Sequence, residues 1–275
     1  MKQHKLGLAL WLAAILLLLA GALLTGSPGH AEDVQEAMRD AVLHDINQVS
    51  LFGVKNVNPG LISAFTVTGI LLAIAVLIRV FAIPRFRFVP GKLQMLVEEA
   101  VGLFDGMARG SSPHRFRFVG TYIFAVGCYI FVGTLFELLG LQAVTTHGNP
   151  ITLPAPLSDV NAAIATGTLS YLVIVSGSIA GNGVKGIGKA LKEFSLPISM
   201  SFRLFGALLS GLLVTELVYY YVNLSFVFPV IVGVVFTLLH ALIQTYVLTM
   251  LTALYYGEVS EVSHKEPKEK KAKRA

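Results

Sequence analysis

Residues 197–211 read Pro197-Ile-Ser-Met-Ser-Phe-Arg203-Leu-Phe-Gly206-Ala-Leu-Leu-Ser210-Gly211. Apolar residues continue on both sides, so a segment from about residue 195 to 221 is long enough to cross a bilayer. Arg203 stands about two turns inside that segment. A charge at that depth costs roughly 3 to more than 10 kcal/mol, depending on how it is measured. Arginine as a residue type does not escape by losing its proton. Arg203 must therefore face protein, a wet cavity or a carboxylate partner, unless it snorkels to the interface. Its depth and the small residues beside it favour the first set.

The rest of the chain agrees with a membrane reading. Of its 275 residues, 55% are hydrophobic and only 13% are charged, with mean hydropathy +0.72. A soluble domain carries about 25% charge. One cysteine, Cys128, inside an apolar run, rules out a disulfide framework. No cysteine–histidine cluster suggests a metal, and no glycine-rich loop after a strand pattern suggests a nucleotide or other cofactor. The chain is not expected to be an enzyme on its own. Its net charge of +5 does not imply nucleic acid, because the basic residues sit in inter-span loops and the tail.

Working outward, residues 1–31 read as a signal peptide: Lys2 and Lys5, then apolar Leu6 to Leu24, then Gly29-His30-Ala31 as a cleavage site. Their apolar run is long for a signal, so an extra span is the rival. Residues 32–60 form a polar, net acidic outer segment, expected to hold a short amphipathic helix ending before Asn58-Pro59-Gly60. Residues 61–260 form a single membrane domain. Its spans are expected at Leu61 to Ala82, Phe118 to Leu141, Val160 to Ala180, about Ser195 to Tyr221, and about Phe226 to Tyr256. An interfacial amphipathic helix, Leu93 to Met107, lies between the first two, with Gln94, Glu98, Glu99 and Asp105 on its polar side. Those acids are either a docking face for a stalk protein or, more simply, a solvated face. Residues 261–275 form a basic tail. The fold class is thus all-α, a polytopic membrane protein with about five transmembrane helices. The last two spans exceed the ~20 residues needed to cross, so they are expected to form a long, tilted helical hairpin.

Loop charge sets a topology. Segments 83–117, 182–192 and 265–274 are basic, whereas 32–60, 142–159 and 222–225 are acidic or lack positive charge. The positive-inside rule puts the mature N-terminus outside and the C-terminus in the cytoplasm.

Around Arg203, a 100° helical period puts Ala207, Ser210, Val214 and Tyr221 on the same face. Small residues there admit a close neighbouring helix. The next span carries Thr237, His240, Gln244, Leu251 and Tyr255 on one stripe, with His240 and Gln244 four apart. The short connection makes the two spans antiparallel, so Arg203 and Gln244 can meet near mid-segment. The pair His240 and Gln244 reads either as packing hydrogen bonds or as a hydrophilic path. Glu137 lies near the outer end of the second span and Glu216 in the outer half of the fourth; Asp159 and Asn161 open the third. Acids toward the outer leaflet suit an aqueous approach for a cation. Helix capping by Asp159 and interfacial charge for Glu137 and Glu216 are the plainer alternatives.

At this point the sequence resembles subunit a of the F-type ATP synthase. The most specific match is Ser201-Phe-Arg203-Leu-Phe-Gly206, followed by Gln244 and Leu251-Thr-Ala-Leu-Tyr255. Val89-Pro90-Gly91-Lys92-Leu-Gln94, Glu137-Leu-Leu, Pro156-Leu-Ser-Asp159-Val-Asn161 and Gly186-Ile-Gly188 follow family order over roughly residues 50–260. The resemblance implies an ion-translocating stator subunit in a bacterial inner membrane. Its partners would be membrane lipid, a ring of c subunits and the peripheral stalk b subunits. Arg203 would attract the ring carboxylate, displace its H+ (or Na+) and separate two half-channels. Gln244 would hold or partner the arginine, and Ser210 and Ala207 would keep the rotor helix close. This chain departs from the family pattern at Ala207, Leu212 and Thr237, where relatives often have asparagine, an acid and histidine. Glu216 and His240 would then supply polar groups from shifted positions. A Na+-pumping ATPase of the same architecture and, in another class, a secondary transporter are the alternatives. No convincing internal repeat supports the transporter.

Overall fold

The computed structural model of the chain describes residues 49–51, 54–144, 150–220 and 228–261, with isolated positions 13, 17 and 20. Apart from those three positions, the signal peptide or extra span expected at 1–31 lies outside the described residues, as do the loop at 222–225 and nearly all of the tail.

Helix α1, Pro59–Leu77, starts where its residues dictate. Asn58 caps it by accepting from Gly60 N, and Pro59 takes the first helical position, where a missing N–H costs nothing. Its far end widens into a π-turn at Ile78–Ala82 and tightens to a 3-10 turn at Ile83–Arg85. Pro84 explains this, having no N–H to give and a ring that crowds the carbonyl four residues back. Helix α2, Lys92–Ser111, is the amphipathic helix. Helix α3, Phe116–Phe136, ends in a 3-10 turn at Glu137–Leu139 and a left-handed Gly140 (φ 59°). Helix α4, Val160–Asn182, follows a turn at Pro156–Ser158. Helix α5, Ile187–Lys192, is short; α6 runs Ser195–Tyr220 and α7 Phe228–Ser260.

Two expectations are corrected. Val49–Leu51 (β1) and Val54–Val57 (β2) form an antiparallel hairpin where the end of an amphipathic helix was expected. The β-branched Val49, Val54 and Val57 favour extended backbone. The basic segment 182–192, counted above as an inter-span loop, is mostly helical, with a 3-10 turn at Gly183–Gly186 before α5. The segment between α3 and α4 also holds a small hairpin, Gln142–Val144 (β3) paired with Pro150–Thr152 (β4).

Among the described residues, four helical stretches are long and apolar enough to cross a membrane: Pro59–Arg85, Phe116–Leu139, Val160–Asn182 and Gly233–Ser260. Helix α6, at 26 residues, also exceeds the crossing length. Helix α7 has 33 residues and so extends for about 50 Å. Helices α3, α4, α6 and α7 pack together around one core that includes Ile123, Ile130, Ile174, Met200, Leu204 and Leu248, with α2 laid against α3 and α7. Helix α1 joins through a smaller cluster of Val67, Phe136 and Leu153. Large apolar side chains such as Phe65 and Leu72 face outward, as a lipid solvent requires.

Glycines set the closest helix contacts. A Cβ at Gly167 on α4 would stand 2.4 Å from Ser201 Oγ and 3.0 Å from the Pro197 carbonyl on α6. A Cβ at Gly257 on α7 would lie 2.0 Å from the Ser111 carbonyl. At both points only a hydrogen fits, which is how small residues bring membrane helices together.

Candidate functional site

Helix α6 has two faces. Leu196, Met200, Ser201, Leu204 and Leu208 are buried against the bundle. Ser199, Phe202, Arg203, Gly206 and Ser210 are exposed on the other side. Phe202 is 70% exposed, and a Cβ built on Gly206 meets nothing within 4 Å. Arg203 stands on this open face about 12 Å along the helix from Ser195. Its guanidinium meets no carboxylate among the described residues.

Gln244 on α7 lies behind that face and is only 5% exposed. Its Nε2 donates to the main-chain carbonyl of Arg203 at 3.3 Å. Among the described residues its Oε1 is buried without a partner, and so is the hydroxyl of Thr245 beside it. The two residues thus meet through the arginine's backbone, not its head group.

His240 lies one turn before Gln244 and packs against Gly211 of α6, where an added Cβ would stand 3.2 Å from Nδ1. The Phe236 ring lies beside it at 6.0 Å between centroids. Ser210 donates its hydroxyl to the Ala207 carbonyl at 2.8 Å, so it presents an oxygen, not a proton, to the open face. Glu216 lies in the last turns of α6, with its side chain outside the described residues.

The remaining candidates gather at one end of the bundle. Glu137 is half-buried in the turn that ends α3. Asp159 caps α4, its Oδ1 accepting from Asn161 N at 2.6 Å. Its Oδ2 accepts from Nδ2 of Asn58, the residue that caps α1. Asn161 is exposed in the first turn of α4. The Pro156–Ser158 turn just before Asp159 packs against α6. Arg203, Ser210, His240 and Gln244 therefore share the α6–α7 pair, while Glu137, Asp159 and Asn161 form a separate polar end.

Sequence reasoning missed three contributors. Asn58 bridges two helix caps, and its position before Pro59 was the available signal. Gly167 sets the α4–α6 distance; a lone glycine in an apolar run carries no such signal. The third is a half-buried polar link, the Tyr122 hydroxyl and Ser170 Oγ, 2.9 Å apart between α3 and α4. Among the described residues, no group of three or more potential ligands could hold a metal ion.

These features define a polytopic helical membrane protein with an arginine on the open face of a membrane-length helix. The chain belongs to the ATP synthase A chain family, whose pattern matches residues 61–257. It is similar to ATP synthase subunit a of Cereibacter sphaeroides, 27% identical over 209 residues, covering 70% of this chain and 80% of the relative. It is also similar to ATP synthase subunit a of Histophilus somni, 25% identical over 204 residues, covering 61% and 76%. ATP synthesis, ion transport and membrane residence follow from that membership.

Proposed function

We propose that this chain is the ion-translocating stator subunit of an F-type ATP synthase. It conducts H+ through two half-channels to and from carboxylates of a c-subunit ring, and so couples ion flow to rotation. The observation that carries this reading is the open face of α6, with Arg203 unneutralised by any carboxylate among the described residues and small groups at Gly206 and Ser210. Such a charge is tolerable only beside water or a partner carboxylate. A ring carboxylate arriving from outside the chain supplies one transiently. In low dielectric the pair is strong, which favours ion release from the carboxylate; contact with a wet path weakens it enough for the carboxylate to move on. The polar end at Glu137, Asp159 and Asn161 serves as the outer approach. His240 and Gln244, with Glu216, line the route to the arginine. The basic loops support an orientation with the C-terminus in the cytoplasm of a bacterial inner membrane, and in this reading the acids of α2 face the peripheral stalk b subunits. The chain itself makes and breaks no covalent bond.

The test is Arg203→Ala in the assembled complex. ATP-driven acidification of inverted vesicles should disappear while the complex remains intact. Normal pumping by that variant overturns the reading.

A further inference from the structure

A cavity of about 530 Å³ opens between the start of α3 and the end of α4. That size falls within the roughly 300–1,000 Å³ of pockets that hold small ligands. His114, Arg115, Arg117, Phe118, Ser176 and Tyr256 line it, and no carboxylate does. The Arg115 guanidinium spends one donor, Nη2, on the Ala180 carbonyl at 2.6 Å, which fixes its position. A guanidinium has five donors, so most remain available. Arg117 is exposed, and its guanidinium has no partner among the described residues. His114 is anchored by its Nε2, 2.7 Å from the Ser260 hydroxyl.

Beneath this basic rim the floor is aromatic. The rings of Phe118 and Tyr256 lie 5.9 Å apart between centroids. Gly177 makes room for the Tyr256 ring, since a Cβ there would come within 2.5 Å of it. Helix α3 begins at Phe116 and α4 ends at Asn182, so the rim sits at the membrane surface and the floor just below it. On α4, the exposed Leu172 and Leu169 lie one and two turns from Ser176 toward the bilayer interior and are apolar.

We infer that this groove binds the headgroup of an anionic phospholipid, with Arg115 and Arg117 on its phosphate and its acyl chains along α4. Guanidinium matches phosphate geometry through paired donors. Basic pockets between membrane helices on the positively charged side of a protein suit such headgroups. The inference needs only that the chain spans a membrane and does not depend on the proposed ion path.

The test uses the full chain purified in its native assembly and reconstituted in dioleoyl phosphatidylcholine. The probe is a phosphatidylglycerol carrying a photoreactive diazirine near its headgroup. Crosslinks should map to residues 114–118 and 176–180, and unlabelled phosphatidylglycerol should compete them away. Arg117→Gln removes no hydrogen bond or ion pair among the described residues, so it should leave assembly unchanged and lower labelling about fivefold. Arg115→Gln combined with Arg117→Gln should lower it further. Equal labelling by a phosphatidylcholine probe, unchanged labelling of the Arg117→Gln protein, or displacement by millimolar inorganic phosphate would each overturn the lipid site.

Discussion

The side-chain amide of Gln244 donates to the main-chain carbonyl of Arg203 at 3.3 Å, and the guanidinium takes no part in the bond. This arrangement pins the helix backbone at the arginine while leaving the charged head free to turn outward. A carbonyl oxygen has two lone pairs, so it can accept this bond as well as its helical one. Gln244 Oε1 is left buried and unpaired. An orphaned buried polar atom costs about 1–3 kcal/mol, so this oxygen has much to gain from a water or a returning guanidinium.

Gln244→Leu should therefore be mild for folding and visible in coupling. It loses one long hydrogen bond but also removes the orphaned oxygen, so thermal stability should change by about 1 kcal/mol or less. ATP-driven pumping in vesicles should fall several-fold without vanishing. Unchanged pumping would make Gln244 a packing residue.

Two glycines should respond in opposite ways. Gly167→Leu places its side chain into Ser201 and the Pro197 carbonyl, and overpacking of this kind costs about 1–3 kcal/mol or more. The variant should assemble poorly, as read by recovery of intact complex. A Cβ at Gly206 meets nothing within 4 Å among the described residues, so with Gly206→Leu assembly of the chain itself should survive while ATP synthesis drops, because a neighbouring helix can no longer approach. Full ATP synthesis by the Gly206→Leu protein would show that no partner packs on that face.

Asp159 can be divided into its structural and conducting roles. Asp159→Ala removes the α4 cap and the bridge to Asn58, a loss of about 1 kcal/mol from the cap alone. Asp159→Asn keeps an accepting oxygen for Asn161 N and so most of the cap's stability, but sets an amide NH2 against the donating Asn58 Nδ2 and loses the bridge. If Asp159 also serves the outer approach, Asp159→Asn should slow ion flux measured with a pH-sensitive dye. A flux equal to that of the unaltered protein would leave capping as its whole role.

The transported ion is open to direct measurement. ATP synthesis driven by an imposed gradient in vesicles should collapse on adding a protonophore. Synthesis that resists the protonophore and requires sodium would replace H+ with Na+.

Much of this protein was legible in its residues, and the reason is the solvent. A bilayer demands long apolar helices whose backbone groups are satisfied internally, so the spans at 59–85, 116–139, 160–182 and 233–260 stand out by hydropathy alone. Asp159 marked the start of α4 as a cap residue. Arg203 was conspicuous because it is the one basic residue in its span, which holds only one other charge, Glu216. The hairpin at 49–57 was not legible, because its short polar and β-branched run also satisfies a weak helical period.

What the residues alone could not settle is which way each helix turns. The outside of a membrane bundle is as apolar as its inside, so periodicity does not reveal which face meets a neighbour. Packing settled it. Gly167 against Ser201 and Gly211 against His240 fix the rotation of α6. That rotation puts Arg203 on the open face and leaves Gln244 to reach its carbonyl instead of its guanidinium. The chain's residues determined that a charge would lie in the membrane; only the interlocking of the helices decided that it would be presented outward.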